Sequence, residues 1–168
     1  VSVNLNNFFS SYNYNDTKHD IKLGDDYRVF HSEYDKYIQV RVLFYSKETG
    51  NLVDSVLVYS ENTNTQKVSV SLPAGEYYAI STLAFADEKS IEGTWWDIAG
   101  KEKLATAKMV PYLRWSKWSI LSVDTKQFSV VENGASVTLT PKPVGAMGYY
   151  FFQNFQYKDE ESYGTKGD

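Results

Sequence analysis

The sequence predicts an all-β protein built as a single antiparallel sandwich, and three observations carry that prediction. Beyond Lys36, apolar and polar residues alternate with period two, the pattern of a chain whose successive side chains point to opposite faces. Aromatic residues make up 16% of the 168 positions, as 14 Tyr, 9 Phe and 4 Trp, and aromatic side chains favour strands over helices. Short glycine-, asparagine- and proline-bearing turns separate the alternating runs, as in sandwiches with many short strands.

The N-terminal segment, residues 1–26, is rich in Asn, Ser and Asp. It predicts one strand near Val3 to Phe9 and an irregular loop after it. In "YIQVRVLFYS", Ile38, Val40, Val42 and Phe44 share one side, and Gln39, Arg41, Leu43 and Tyr45 the other, as in a half-buried strand. "KETGN" follows as a turn in which Gly50 and Asn51 tolerate positive φ, and Leu52 to Ser60 runs back as the second arm of a hairpin. A polar loop, Glu61 to Gln66, leads to "KVSVSL", with Val68, Val70 and Leu72 inward and Lys67, Ser69 and Ser71 outward. Residues 73–76 break that run, and Tyr77 to Ala86 forms the next strand.

Residues 87–122 are irregular and hold all four tryptophans. Within them, Lys101 to Met109 fits either a short helix ended by Pro111 or a strand with Leu104, Thr106, Lys108 and Val110 in register. A second hairpin joins Gln127–Val131 to Ser136–Thr140 through Asn133-Gly134. "PKPVGAMG" interrupts, Tyr149 to Tyr157 is a final aromatic strand, and residues 158–168 form an acidic, mobile tail. The count is seven to nine strands in one domain over residues 1–168, of immunoglobulin-like or transthyretin-like type.

Composition removes several function classes. A net charge of −4 and the lack of any basic arm argue against a nucleic-acid partner. With no cysteine there is no disulfide, Cys-zinc site or thiol catalysis. No run of about 18 apolar residues marks a membrane-spanning helix. A start at Val1, with neither Met nor a leader, is the pattern of a processed or trimmed chain; any targeting or lipid-anchor segment would then lie outside the sequence.

The inventory of reactive groups points to no enzyme. His19 and His31 sit in polar segments and are expected to be solvated loop residues, although Glu33 or Asp35 beside His31 offers a base–carboxylate pair. No nucleophile elbow, zinc-protease helix or phosphate-binding loop is present. "NYNDTKHD", residues 13–20, alternates oxygen-bearing side chains but lacks the glycine and terminal glutamate of a calcium loop, so neither metal nor cofactor is expected. Asn15 begins an N-glycosylation sequon.

The candidate binding residues are Trp95, Trp96, Tyr112, Trp115 and Trp118. Exposed rings of this kind stack on the apolar faces of sugars; alternatively, large rings close the end of a sandwich, each burying about 150–250 Å². Neighbouring Trp95 and Trp96 on a strand would face opposite ways, so only one could join a given platform. "WSKWS", residues 115–119, spells the signature of class I cytokine receptors, but strands are predicted after it and no arginine ladder accompanies it. Thrombospondin repeats, which share part of that spelling, need cysteines. The match is coincidental.

A broader likeness lies in "IQVRVLFYSKETGNLVDSVLVYS" and "VSVSLPAGEYYAISTLAF", through Val40 to Phe44, Gly50 to Val53 and Leu72 to Ala79. Together with "VTLTPKPVGAMGYYFF", these segments resemble the sandwich of fimbrillin-type and fimbrial-anchor lipoproteins of Bacteroidetes. The resemblance implies a non-enzymatic protein secreted to the cell surface or outer membrane, acting in fimbrial anchoring or adhesion. Its partners would be other surface or pilus proteins, or glycans, with membrane contact only through a lipid anchor. The lipobox cysteine of that family is missing from this chain. The competing expectation is a carbohydrate-binding module that uses the tryptophan cluster.

Overall fold

The computed structural model describes residues 1–6, 11–14, 17–20, 36–61, 66–90, 96–111 and 121–144. Among them there are twelve strands and no helix. Strands β4 (Tyr37–Ser46), β5 (Leu52–Ser60), β7 (Gly75–Ala86), β10 (Ser122–Val130) and β12 (Lys142–Pro143) form a five-stranded sheet in the order β12-β10-β7-β4-β5. A second sheet has the order β11-β1-β6, from β11 (Ser136–Leu139), β1 (Ser2–Leu5) and β6 (Gln66–Ser69). Two hairpins complete the set: β2 (Ser11–Tyr14) with β3 (Thr17–Asp20), and β8 (Trp96–Ala99) with β9 (Lys108–Pro111).

The first hairpin forms as its turn dictates. The Gly50 N–H donates to the Ser46 carbonyl at 2.8 Å with φ of 70°, a left-handed conformation that costs glycine nothing. Behind it, β4 and β5 pair from Ile38↔Ser60 to Phe44↔Asp54, and a bulge before Tyr45↔Leu52 ends the regular ladder. On its other side β4 pairs with β7 along its whole length.

One core joins the two large sheets. Ile38, Val40, Val42 and Phe44 of β4 and Ala79, Leu83 and Phe85 of β7 cluster with Val3, Leu5, Val137 and Leu139 from the three-stranded sheet. Val68 and Val70 point inward as the alternation predicts, while Lys67, Ser69 and Ser71 are exposed. Phe128 closes the layer edge-on to Phe44, with ring centroids 6.2 Å apart. The arrangement is sandwich-like.

Five expectations need correction. The arms joined by Asn133-Gly134 do not form a hairpin ladder: they meet at the Val131↔Gly134 bridge, and β11 then crosses to the other sheet. There it runs parallel to β1, so the sandwich is not wholly antiparallel. Both arms carry apolar residues toward one core, and placing them in opposite sheets buries Phe128 and Val137 against shared neighbours. The middle of the N-terminal segment is a β2–β3 hairpin rather than an irregular loop. Residues 101–109 are neither helix nor continuous strand: turns run to Thr106, and β9 begins only at Lys108. Finally, β4 is buried on both faces, not one. The predicted strand over 149–157 and the tail over 158–168 lie outside the described residues.

Candidate functional site

What covers the second face of β4 is the β8–β9 hairpin with its long connection. Leu43 and Tyr45 of β4 and Tyr78 and Ile80 of β7 pack against Ile98, Leu104, Ala107 and Met109. The connection is tightly wound: Gly100 has φ of 61°, and a Cβ there would lie 2.6 Å from the Thr106 carbonyl oxygen. The Thr106 hydroxyl donates to the Gly100 carbonyl at 2.8 Å. The segment also laces to the first hairpin, through Leu52 N–H to the Glu102 carbonyl and Leu104 N–H to the Gly50 carbonyl.

A polar network fastens the other end of this layer. The Arg41 guanidinium donates to Gln39 Oε1 at 2.8 Å, to Asp97 Oδ1 at 2.9 Å and to the Trp96 carbonyl at 2.8 Å. Gln39 in turn donates to the Ser90 carbonyl at 2.7 Å and to the Tyr59 hydroxyl at 3.2 Å. Arg41 is 11% exposed and Asp97 35%, so the ion pair sits at the margin between buried and solvated. A planar donor with five N–H groups suits such a junction, because it can hold a carboxylate, an amide and a backbone carbonyl at once.

Between hairpin and sheet lies a cavity of about 110 Å³, lined by apolar groups of Leu43, Ile80, Ile98, Leu104 and Met109. Beside it the Tyr45 hydroxyl donates to the Lys101 carbonyl at 2.8 Å. Burial, and secondarily the Glu102 carboxylate, raise the Tyr45 phenol above its ordinary value of 10.0. The folded state therefore holds the neutral phenol, and its contribution to stability is complete below the ordinary tyrosine range. It is lost as pH rises through that range toward the raised folded value. Tyr45→Phe is expected to flatten this part of the alkaline stability loss, measured by urea unfolding across the tyrosine range; an unchanged slope would show that Tyr45 does not contribute.

Of the candidate binding residues, Trp96 is the one the structure places. It opens β8, is half-buried, and its carbonyl holds Arg41. Trp95, Tyr112, Trp115 and Trp118 lie outside the described residues, as does His31, while His19 stands opposite Tyr12 in the β2–β3 ladder. No group of three or more His, Asp or Glu able to hold a metal occurs among the described residues.

Sequence reasoning placed Gln39 and Arg41 on the correct face but treated that face as solvent, and it passed over Asp97. The available signal was a lone arginine inside a ten-residue strand that is otherwise nearly all apolar or aromatic. A solvated face would carry more charge than that. The class these features define is an all-β, sandwich-like protein with a third layer pinned by an arginine. No family model, curated protein or solved structure matches the chain.

Proposed function

We propose that the chain is a non-enzymatic cell-surface domain working in fimbrial anchoring or adhesion. The observation that supports this most is where the fimbrillin-like segments fall. Val40 to Phe44, Gly50 to Val53 and Leu72 to Ala79 are scattered over forty positions, yet they occupy β4, the turn into β5 and the entry to β7. Phe44 lies opposite Ala79 on one side, and on the other the next residue, Tyr45, lies opposite Leu52. The likeness thus follows one contiguous patch of the central sheet.

Surface exposure on the cells that make the protein tests the proposal. Protease treatment of intact cells is expected to remove it, and it is expected to co-fractionate with pili or other surface assemblies. Protection from protease until lysis would sink the reading. A glycan array supplies the competing outcome: binding lost on Trp95→Ala or Trp115→Ala would favour the carbohydrate-binding module instead.

A further inference from the structure

Protein interiors seldom leave an apolar space larger than a water molecule, because the lining side chains lose the contacts that packing would supply. The cavity between the β8–β9 hairpin and the central sheet is such a space, about 110 Å³ and open to solvent. Its wall is aliphatic or thioether except at Tyr45, Thr82 and Lys108. The Tyr45 hydroxyl already donates to the Lys101 carbonyl, and Thr82 is neutral. Lys108 is thus the one charged residue among those that line the cavity.

The volume limits what can enter. A closed cavity of about 150 Å³ walled by Leu, Ile and Phe stays dry and takes up benzene. At roughly 30 Å³ for each group the size of a water molecule, the space here holds about four methylene-sized groups. That suits a short alkyl chain better than a ring. The rim, in turn, has a sign. Lys108 opens β9, is exposed, and has no ion-pair partner among the described residues. A lysine beside an apolar wall lays its aliphatic stem along that wall and keeps its ammonium in water. Lys101 and Lys103 are exposed on the same connection. Residues 98–111 hold three lysines against one glutamate, a net charge of +2 within a chain of net charge −4.

We propose that this cavity is a binding site for a short aliphatic monocarboxylate. A tail of about four carbons fills the space between Leu43 and Ile80 of the sheet and Ile98, Leu104 and Met109 of the hairpin. The carboxylate stays at the mouth beside the Lys108 ammonium, where both charges keep water and the penalty of a buried ion pair is small. Ala107 sets the room available. It lines the cavity, its N–H is fixed to the Lys103 carbonyl at 3.0 Å, and a longer side chain in its place would enter the space. With few atoms to bury and one hydrated ion pair, the affinity is about millimolar. This inference does not rest on the surface role proposed above.

Pentanoate, 1-pentanol and acetate separate tail from charge, read through the backbone amide shifts of Ile98, Leu104 and Met109 in the folded chain. Pentanoate is expected to shift these amides and saturate with a Kd of about 1 mM. The alcohol, with the tail but no charge, should bind at least ~3-fold more weakly, and acetate should leave the amides unmoved at about 20 mM. Ala107→Leu is expected to weaken pentanoate at least ~10-fold by filling the space. Lys108→Gln, at an exposed site, should abolish the preference for pentanoate over the alcohol and leave the fold intact. No saturable shift with pentanoate at about 20 mM overturns the site. So does binding that survives Ala107→Leu in a chain that keeps its native amide dispersion. Acetate moving the amides as far as pentanoate would mean an adventitious ion only, and equal affinity for pentanoate and 1-pentanol, or indifference to Lys108→Gln, overturns the role of the carboxylate.

Discussion

Phe44→Ala is expected to remove about 3–5 kcal/mol of folding stability, a large share of the 5–15 kcal/mol typical of a domain. Phe44 is fully buried near the C-terminal end of β4, which is paired on both sides. Its ring meets Phe128 edge-on, and it belongs to the cluster that joins both large sheets. Those sheets are held apart by their backbones, so the emptied space cannot collapse, and the cavity adds to the lost transfer energy. Urea unfolding checks this, with the midpoint falling and the slope little changed. Val53→Ala, on the exposed edge, is the control and should stay within ~0.5 kcal/mol. A loss below about 1 kcal/mol at Phe44 would mean that the two sheets do not share a core.

Arg41→Ala is expected to cost about 2 kcal/mol and to act locally before it acts globally. The substitution strips donors from the Gln39 amide oxygen, the Asp97 carboxylate and the Trp96 carbonyl together. Asp97 is exposed enough to recover water, which keeps the loss below that of a fully buried ion pair. Hydrogen exchange should show the amides of β8 and β9 opening more readily while those of β7 keep their protection. In a background of Asp97→Ala the further loss on Arg41→Ala should shrink, since the ion pair is already gone. Equal losses in both backgrounds would show that the two side chains are not coupled.

Much of the fold was legible because it rests on local alternation. The strands around Val40, Leu57, Val68 and Ala79 fall where period-two patterning puts them, and the Gly50 turn joins the first two as expected. Failures occurred where local pattern is silent about which sheet a strand joins. The turn at Asn133-Gly134 has hairpin chemistry, yet β11 leaves for the other sheet, because Val137 and Leu139 gain more by facing the core from across it. Likewise residues 101–109 offered both helical and extended spacings, and packing on Leu43 and Tyr45 chose turns followed by a short strand.

The candidate site was less legible for the same reason. Arg41 and Asp97 lie 56 positions apart, and neither has a neighbour in sequence that announces the pair. Only the fold brings β8 over β4 and turns a presumed solvent face into an interior. By itself, the amino-acid order determined that the chain is all-β and which side chains share each face, because backbone geometry sends alternate residues to opposite sides. Tertiary structure alone decided the partner of each face and the parallel β1–β11 pair, since these depend on contacts between distant segments that no local pattern encodes.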